Sequence, residues 1–286
     1  MTPRPPHGMR KTGAVPQGVI DACRAALANR PGKTAHAGLL LASYLKVAGD
    51  KGEGKRKLLE EAIQAARNSR DIYAKAFTRW KQHTRGAAET NLSVRGRLVI
   101  GLGTESVLET GLTLHHTYGT PVIPGTALKG LASHYCDQVW GQADLEFRRE
   151  IEVSESGEKR KRCGKHYETM FGTTEDAGHL IFHDAWILPE SLGGETRGLV
   201  LDVMTPHHAD YYMAQPESAA PTDFDDPNPV TFLSVAGDFR VAVACDVAGE
   251  AGNRWAERAL QLVTEALAYW GVGGKTSAGY GRMYAI

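Results

Sequence analysis

The segment 269–286, YWGVGGKTSAGYGRMYAI, contains the residue types that bind an anion. Five glycines lie within eleven residues, beside one lysine and one arginine, and the segment has no acidic side chain. Because glycine lacks a Cβ atom, the amides of Gly271, Gly273 and Gly274 can turn outward and approach a phosphate closely. Lys275 adds a positive charge. We therefore expect this segment to hold phosphate groups.

The residues that follow can extend such a site along a nucleic-acid strand. Thr276 and Ser277 supply hydroxyl donors, and Tyr280 and Arg282 share one face if residues 276–286 form a last strand. Contacts of this kind position a nucleic-acid backbone without reading its bases. The alternative is a tight turn between a helix and a strand, with no ligand.

The letters GGKT also resemble the end of a P-loop, but the rest of that motif is absent. The pattern G-x-x-x-x-G-K-[ST] requires glycine where this chain has Tyr269, and it requires a strand before the loop and a helix after it. Here the predicted order is helix, loop, strand. The sequence therefore argues against an ATPase.

A second turn, PVIPGTALKG, begins a predicted helix after Pro124. The first amides of a helix are unpaired and attract phosphates, and Lys129 would project from the first turn. Thr126 is placed to cap that turn. The two glycine-bearing turns could then form one track for RNA.

Adjacent histidines precede this turn and make a second function possible. His115 or His116 could act as the acid or base of a metal-independent endoribonuclease, with Lys129 downstream. However, adjacent side chains in a strand point to opposite faces, and the segment shows no partner triad. His179 and His183 lie in a predicted strand, too far apart to share a metal, and we expect Asp184 to be a buried capping acid.

The spacing of apolar residues predicts the elements that position these side chains. Residues 19–85 are rich in Ala, Leu, Lys and Glu and should be helical. Strands are predicted at 92–102, 178–188, 239–247 and 276–286, and helices after Pro124 and at 253–270. The order β-α-β-β-α-β indicates an α+β, ferredoxin-like (RRM-like) domain. This domain would occupy residues 89–286, with insertions at about 141–177 and 189–230. A helical extension at 1–88 would precede it, and residues 1–15 of that extension would be disordered.

The net charge is zero but is unevenly distributed. Residues 1–88 hold 17 Lys+Arg and 6 Asp+Glu, a net of +11, and the remainder balances them at −11. The basic third could face RNA or an acidic partner, or it could be a solvated helical face. The four cysteines form no C-x-x-C pair, which favours a reducing cytoplasm over a zinc or disulfide framework. No apolar run approaches the ~18 residues of a membrane span.

Four segments together resemble the RAMP superfamily of CRISPR proteins. They are PVIPGTALKGLAS, GHLIFHDAW, LDVMTPHHADYY and GVGGKTSAGYGR, spread over residues 90–286. Within the superfamily, the combination is similar to the sixth-subunit family of type III-B (Cmr) effector complexes. The DVMTPHH letters are the most specific part of that resemblance.

The resemblance implies a non-catalytic, RNA-binding backbone subunit without a cofactor or metal. Its partners would be guide (CRISPR) RNA near the 3′ end, target RNA and other Cmr subunits, in antiviral defence. Insertion 189–230 would be a thumb in which Met204, His207 and His208, with Tyr211 and Tyr212, wedge against bases. A core role for these five residues remains the alternative. Arg95 and Arg97, at the start of the first strand, would join the RNA surface.

Overall fold

The computed structural model describes residues 35–43, 52–104, 110–155, 158–205 and 229–286, together with positions 18, 106 and 108. The predicted leader at 1–15 lies outside the described residues, and so do His207, His208, Tyr211 and Tyr212.

The described residues form a mixed structure of helices and antiparallel sheets. The helices are α1 (Ala37–Ser43), α2 (Glu53–Asn68), α3 (Arg70–His83), α4 (Gly125–Tyr135), α5 (Lys165–Phe171) and α6 (Glu250–Tyr269). The strands are β1 (Ala88–Val94), β2 (Val122–Ile123), β3 (Ile151–Glu155), β4 (Glu158–Arg162), β5 (Leu180–Phe182), β6 (Ala185–Ile187), β7 (Gly198–Met204), β8 (Val230–Ala236), β9 (Asp238–Cys245) and β10 (Met283–Ala285). A π-helical turn (Cys136–Trp140) and a short helix (Gly141–Ala143) continue α4.

The principal sheet has six strands in the order β10-β1-β9-β6-β2, and β5 also pairs with β9. Every pairing within it is antiparallel. Helix α6 buries Leu262, Val263 and Ala266 completely, because these residues recur at helical spacing on its inner face. Phe239 and Val241 of β9 are equally buried. The core of the domain therefore includes the sheet and α6, as the alternation at 239–247 and the periodicity at 253–270 predicted.

Helices α2 and α3 share this core with the sheet. Tyr73 of α3 stacks on Trp186 of β6 at 5.6 Å between ring centroids, and its hydroxyl donates to the Ile187 carbonyl at 2.6 Å. On α2, Leu58 and Leu59 belong to the same cluster of buried residues. The apolar faces of these basic helices are thus packed against the domain. Most of their charged side chains are at the surface, and Lys55 is buried.

The strand predicted at 92–102 is displaced toward the amino terminus. Strand β1 ends at Val94, and the chain turns at Gly96, whose φ is +75°. Leu98, Val99 and Ile100 are then all buried, so the apolar letters after Gly96 do not alternate between two faces. They are buried because this segment lies between β8, through a Leu98–Val235 bridge, and the terminal loop.

The last strand is also shorter than the sequence indicated. Only Met283–Ala285 pairs with β1, and Thr276–Ala278 forms a 3-10 turn. Lys275, Gly279 and Gly281 all have positive φ, which an extended strand does not allow. Tyr280 and Arg282 therefore do not share the face of a strand, contrary to the prediction.

Both predicted insertions contain regular structure. Residues 141–177 include the β3–β4 hairpin and α5. Residues 189–230 begin with a 3-10 turn, Pro189–Leu192, and contain β7, which pairs with β8 from Gly198↔Ala236 to Met204↔Val230. We call this two-stranded element the ribbon. Residues 206–228, which follow it at the far end, lie outside the described part of the chain.

Candidate nucleic-acid interface

The terminal loop, residues 270–282, joins α6 to β10, and its glycines pack against another backbone segment. Gly273 has φ +89°, and a Cβ atom added there would lie 2.2 Å from the Val99 carbonyl oxygen. The amide of Gly274 donates to that same oxygen at 2.8 Å, and the amide of Gly271 donates to Ala266. The expectation that these glycine amides all turn outward was therefore wrong for Gly271 and Gly274, since close packing uses them.

The next three residues carry the free amides instead. Lys275 is left-handed (φ 58°, ψ 31°) and leads directly into the 3-10 turn that begins at Thr276. Within the described residues, the amides of Lys275, Thr276 and Ser277 meet no acceptor. Successive amides in such a left-to-right-handed turn form a concave anion-binding nest. Residues 275–277 are thus a part of the loop whose amides suit a phosphate, and the Lys275 side chain is exposed there.

Main-chain hydrogen bonds bring two further predicted arginines to the terminal loop. The amide of Arg95 donates to the Arg282 carbonyl at 2.8 Å, and the amide of Gly281 donates to the Arg97 carbonyl at 2.7 Å. Arg95 and Arg97 therefore lie on a segment beside the terminal loop, which carries Lys275 and Arg282, and we call these two adjacent segments the basic surface. Two segments nearly 180 residues apart build it together.

One acid, Asp202 of β7, lies within this surface. Its Oδ2 accepts a hydrogen bond from the Tyr280 hydroxyl at 2.9 Å and lies 4.0 Å from Nε of Arg97. Burial and the hydrogen bond to Asp202 raise the pKa of Tyr280. Tyr280 is thus directed toward the ribbon at Asp202, two residues before Met204 at its far end. No pattern in the sequence pairs Asp202 with a residue 78 positions away.

Lys129 lies in a groove apart from the terminal loop. It lines a groove of about 680 Å³ between α4 and α5, and none of the groove's lining residues belongs to the terminal loop. The first amide of α4, that of Gly125, donates to Oδ1 of Asp184 at 2.7 Å. Thr126 makes no capping bond, and Pro124 is the N-cap residue. The predicted capping role thus belongs to Asp184, which is exposed rather than buried, and its carboxylate already lies where a phosphate was expected.

Two cations of the basic run at 158–165 are paired with carboxylates. The Arg162 guanidinium pairs with Glu146 and holds the pKa of that carboxyl at about 2. Lys161 pairs with Glu150 at 2.7 Å. Because both cations are paired, Lys161 and Arg162 add little to a free cationic surface.

The histidines have structural neighbours. The His115 ring packs edge-on against Trp186 at 4.7 Å, and its Nδ1 accepts the Thr117 amide at 3.2 Å. Burial lowers the pKa of His115. His116 is exposed, and His179 pairs with Asp246 at 2.8 Å.

The described residues show neither a metal-binding cluster nor a membrane-spanning helix. They contain no group of three His, Cys, Asp or Glu side chains arranged to hold a metal ion. None of the helices that the structure describes is both long and apolar enough to cross a membrane.

Met204 is the last residue of β7 and pairs with Val230 at the far end of the ribbon. Its side chain is partly buried. His207 and His208 lie outside the described residues, so their predicted contact with bases stays a prediction.

The match to a known protein family includes the residues of the basic surface. The sequence model of the RAMP superfamily matches residues 91–284, which include Arg95, Arg97 and the whole terminal loop. The chain belongs to the RAMP superfamily. It is also 29% identical over 263 residues to the CRISPR system Cmr subunit Cmr6 of Pyrococcus furiosus, covering 79% of this chain and 76% of that relative.

Two solved structures resemble this chain. The crystal structure of Cmr6 from Pyrococcus furiosus is 31% identical and covers 70% of this chain and 98% of its own, with a TM-score of 0.41. A chain in the cryo-EM structure of the type III-B Cmr-beta complex bound to cognate target RNA matches with a TM-score of 0.53 at 17% identity. That match covers 95% of this chain and 88% of the other, and it shows a shared fold.

Proposed function

We propose that this RAMP protein is a non-catalytic, RNA-binding backbone subunit of a type III-B CRISPR-Cas (Cmr) effector complex. One observation supports RNA binding above all. Three consecutive amides, those of Lys275, Thr276 and Ser277, meet no acceptor in the part of the chain that the structure describes. They lie near the Lys275 ammonium group and on a loop adjacent to the segment of Arg95 and Arg97. Such an arrangement suits a phosphodiester backbone, because amides and cations contact phosphates without reading bases.

The sheet order supports a ferredoxin-like interpretation of the domain. Along the chain, β1 is followed by α4, then β5 with β6, then β9, α6 and β10. In the sheet, β1 and β9 lie between β10 and β6. A split β-α-β arrangement has this order, with the first and third strands at the centre. On this interpretation α1–α3 are an amino-terminal extension packed onto the domain.

The partners in this proposal are guide RNA, target RNA and other Cmr subunits. The Cmr6 relative is named as a subunit of a CRISPR system, and a chain of similar fold was solved in a Cmr-beta complex with target RNA. We place the basic surface on the guide near its 3′ end. The ribbon, which carries Met204 at its far end, is the candidate thumb that separates guide and target bases.

The histidine geometry supports a binding role over catalysis. His115 uses Nδ1 to accept a backbone amide and packs its ring against Trp186, so it is held as part of the aromatic cluster. An acid–base pair for RNA cleavage would need two groups placed on the 2′-oxygen and the leaving oxygen. His116 has no such partner among the described residues.

A lysine substitution tests the proposed function. Lys275→Ala should weaken binding of single-stranded guide-repeat RNA about equally for all sequences, and it should reduce the slope of log affinity against log salt by roughly one unit. Lys161→Ala is the matched control, because that lysine is also exposed but pairs with Glu150 on the β3–β4 hairpin. Fluorescence anisotropy at several salt concentrations gives both quantities.

Two results would contradict the proposal. A loss that depends strongly on base identity, or an equal loss in the Lys161→Ala control, would argue against phosphate contacts at the terminal loop. The same RNA, analysed on a gel after incubation, should remain intact. Specific cleavage that His116→Ala abolishes would instead identify an endoribonuclease.

A further inference from the structure

An exposed tyrosine on the edge strand lies next to the basic surface. Tyr284 is the middle residue of β10 and remains 38% exposed. Its hydroxyl is 3.4 Å from Nη1 of Arg95 and 3.4 Å from the Ala268 carbonyl, so it can accept from the guanidinium and donate to the backbone. The Arg95 guanidinium carbon lies 5.6 Å from the centre of the ring. The ring is therefore held in one orientation although much of it faces solvent.

The neighbours of this ring leave it open. Its partner across the strand pair is Ser93, whose small side chain covers little of an adjacent aromatic ring. Strand β10 is the last strand of the sheet, so no further described strand lies beyond it. Asp238 is the nearest acid in the same row of the sheet, and Arg197 pairs with it.

The surroundings of the ring are cationic. Arg282 precedes Tyr284 by two residues, and its carbonyl accepts from the amide of Arg95. The stretch from residue 269 to 286 contains no acidic side chain. A ligand that meets Tyr284 here would be attracted by the same cations that attract a phosphate to residues 275–277.

We propose that Tyr284 and Arg95 form a stacking site for one unpaired base of the RNA whose phosphates lie on the terminal loop. This inference rests on the proposed function. Aromatic rings and arginine planes hold bases of single-stranded RNA with little sequence preference, because every base has a π face. A tyrosine fixed by two hydrogen bonds loses less rotational freedom on binding than a free surface side chain would. In this proposal the stacked base increases the affinity for RNA, and the phosphate contacts at the nest of residues 275–277 fix where the RNA strand lies.

The test measures binding of the full-length protein to a labelled single-stranded RNA oligonucleotide. Tyr284→Ala should weaken binding by about tenfold, with an unchanged salt slope because no charge is lost. Tyr284→Phe keeps the ring and should stay within about threefold of the wild type. Tyr269→Ala is the control, because Tyr269 is 66% exposed at the end of α6 and takes part in neither cation–π pair of the described residues.

Oligonucleotides that carry one abasic position give an independent readout. With the wild-type protein, one abasic position should weaken binding by the same factor as Tyr284→Ala, and the two changes together should cost no more than either alone. If Tyr284→Ala does not fold, Tyr284→Leu replaces it, since leucine keeps an apolar side chain on the edge strand without a planar ring. It should weaken binding as alanine would.

The outcomes separate the stacking site from the proposed function. If Lys275→Ala weakens binding but Tyr284→Ala and Tyr284→Leu do not, the stacking site is wrong and the phosphate site stands. If neither Lys275→Ala nor the Tyr284 substitutions weaken RNA binding, both the stacking site and the proposed function are wrong. A Tyr284 variant that binds RNA normally but no longer joins the other Cmr subunits would show that this surface docks a protein, and that result also overturns the inference.

Discussion

The substitution Gly273→Ala tests why the terminal loop needs glycine. Two features of the structure oppose any side chain at this position. The backbone has φ +89°, and an added Cβ atom would lie 2.2 Å from the Val99 carbonyl oxygen and 2.8 Å from Cδ1 of Ile100. Gly279 is the matched control, because its φ is +90° but an added Cβ atom would meet nothing within 4 Å.

The two variants should differ by a free energy that these contacts set. A left-handed backbone costs an L-residue about 1–2 kcal/mol, and Gly279→Ala should lower the free energy of unfolding by this amount alone. Gly273→Ala must also push the loop away from Val99, which breaks the 2.8 Å bond from Gly274 to the Val99 carbonyl. Val99 is fully buried, so its unpaired carbonyl adds about 1–3 kcal/mol. The total for Gly273→Ala is therefore about 2–5 kcal/mol.

Urea unfolding, followed by the fluorescence of the five tryptophans, measures the difference. The midpoint should fall further for Gly273→Ala than for Gly279→Ala, and the slope m should stay the same in both. If the two variants lose the same stability to within about 0.5 kcal/mol, the close approach to Val99 does not explain the glycine, and our account of the loop packing is wrong.

Two further predictions concern the elements that support the interface. Asp184→Ala removes the carboxylate that accepts the Gly125 amide and should lower the free energy of unfolding by about 0.5–2 kcal/mol. Asp184→Asn keeps an acceptor and should lose less stability. Equal stability of the wild type and both variants in urea would contradict the capping role of Asp184. Tyr73→Phe removes the hydroxyl that donates to the buried Ile187 carbonyl and should cost about 1–3 kcal/mol. Tyr118→Phe, in the same aromatic cluster, should be nearly neutral in the same urea measurement, and an equal loss there would argue against the Tyr73 hydrogen bond.

Sequence periodicity predicted the elements that obey one regular pattern. The helix at 253–270 and the strand at 239–247 are present as α6 and β9, because each buries a single face. The pattern at 92–102 misled the prediction, since Leu98, Val99 and Ile100 are buried by contacts with β8 and the terminal loop rather than by strand alternation. Consecutive burial of this kind depends on segments distant in the chain.

The candidate site was likewise predicted only in part from the sequence. The residue types at 271–282 predicted an anion-binding loop with a cation at Lys275 without any structure. The sequence did not distinguish glycines that pack from amides that remain free, because that choice depends on where the Val99 carbonyl lies. Nor did it assign Lys129 to its separate groove.

By itself, the sequence determined the chemistry available at the end of the chain and the family resemblance, since both depend on residue types and local order. The tertiary structure alone decided which groups meet. It brought Arg95 beside Arg282 and Tyr284, and it placed the Asp202 carboxylate on Tyr280. The physical reason is that pairing between β1 and β10, and contact between β7 and the terminal loop, fix distances that no local pattern of residues encodes.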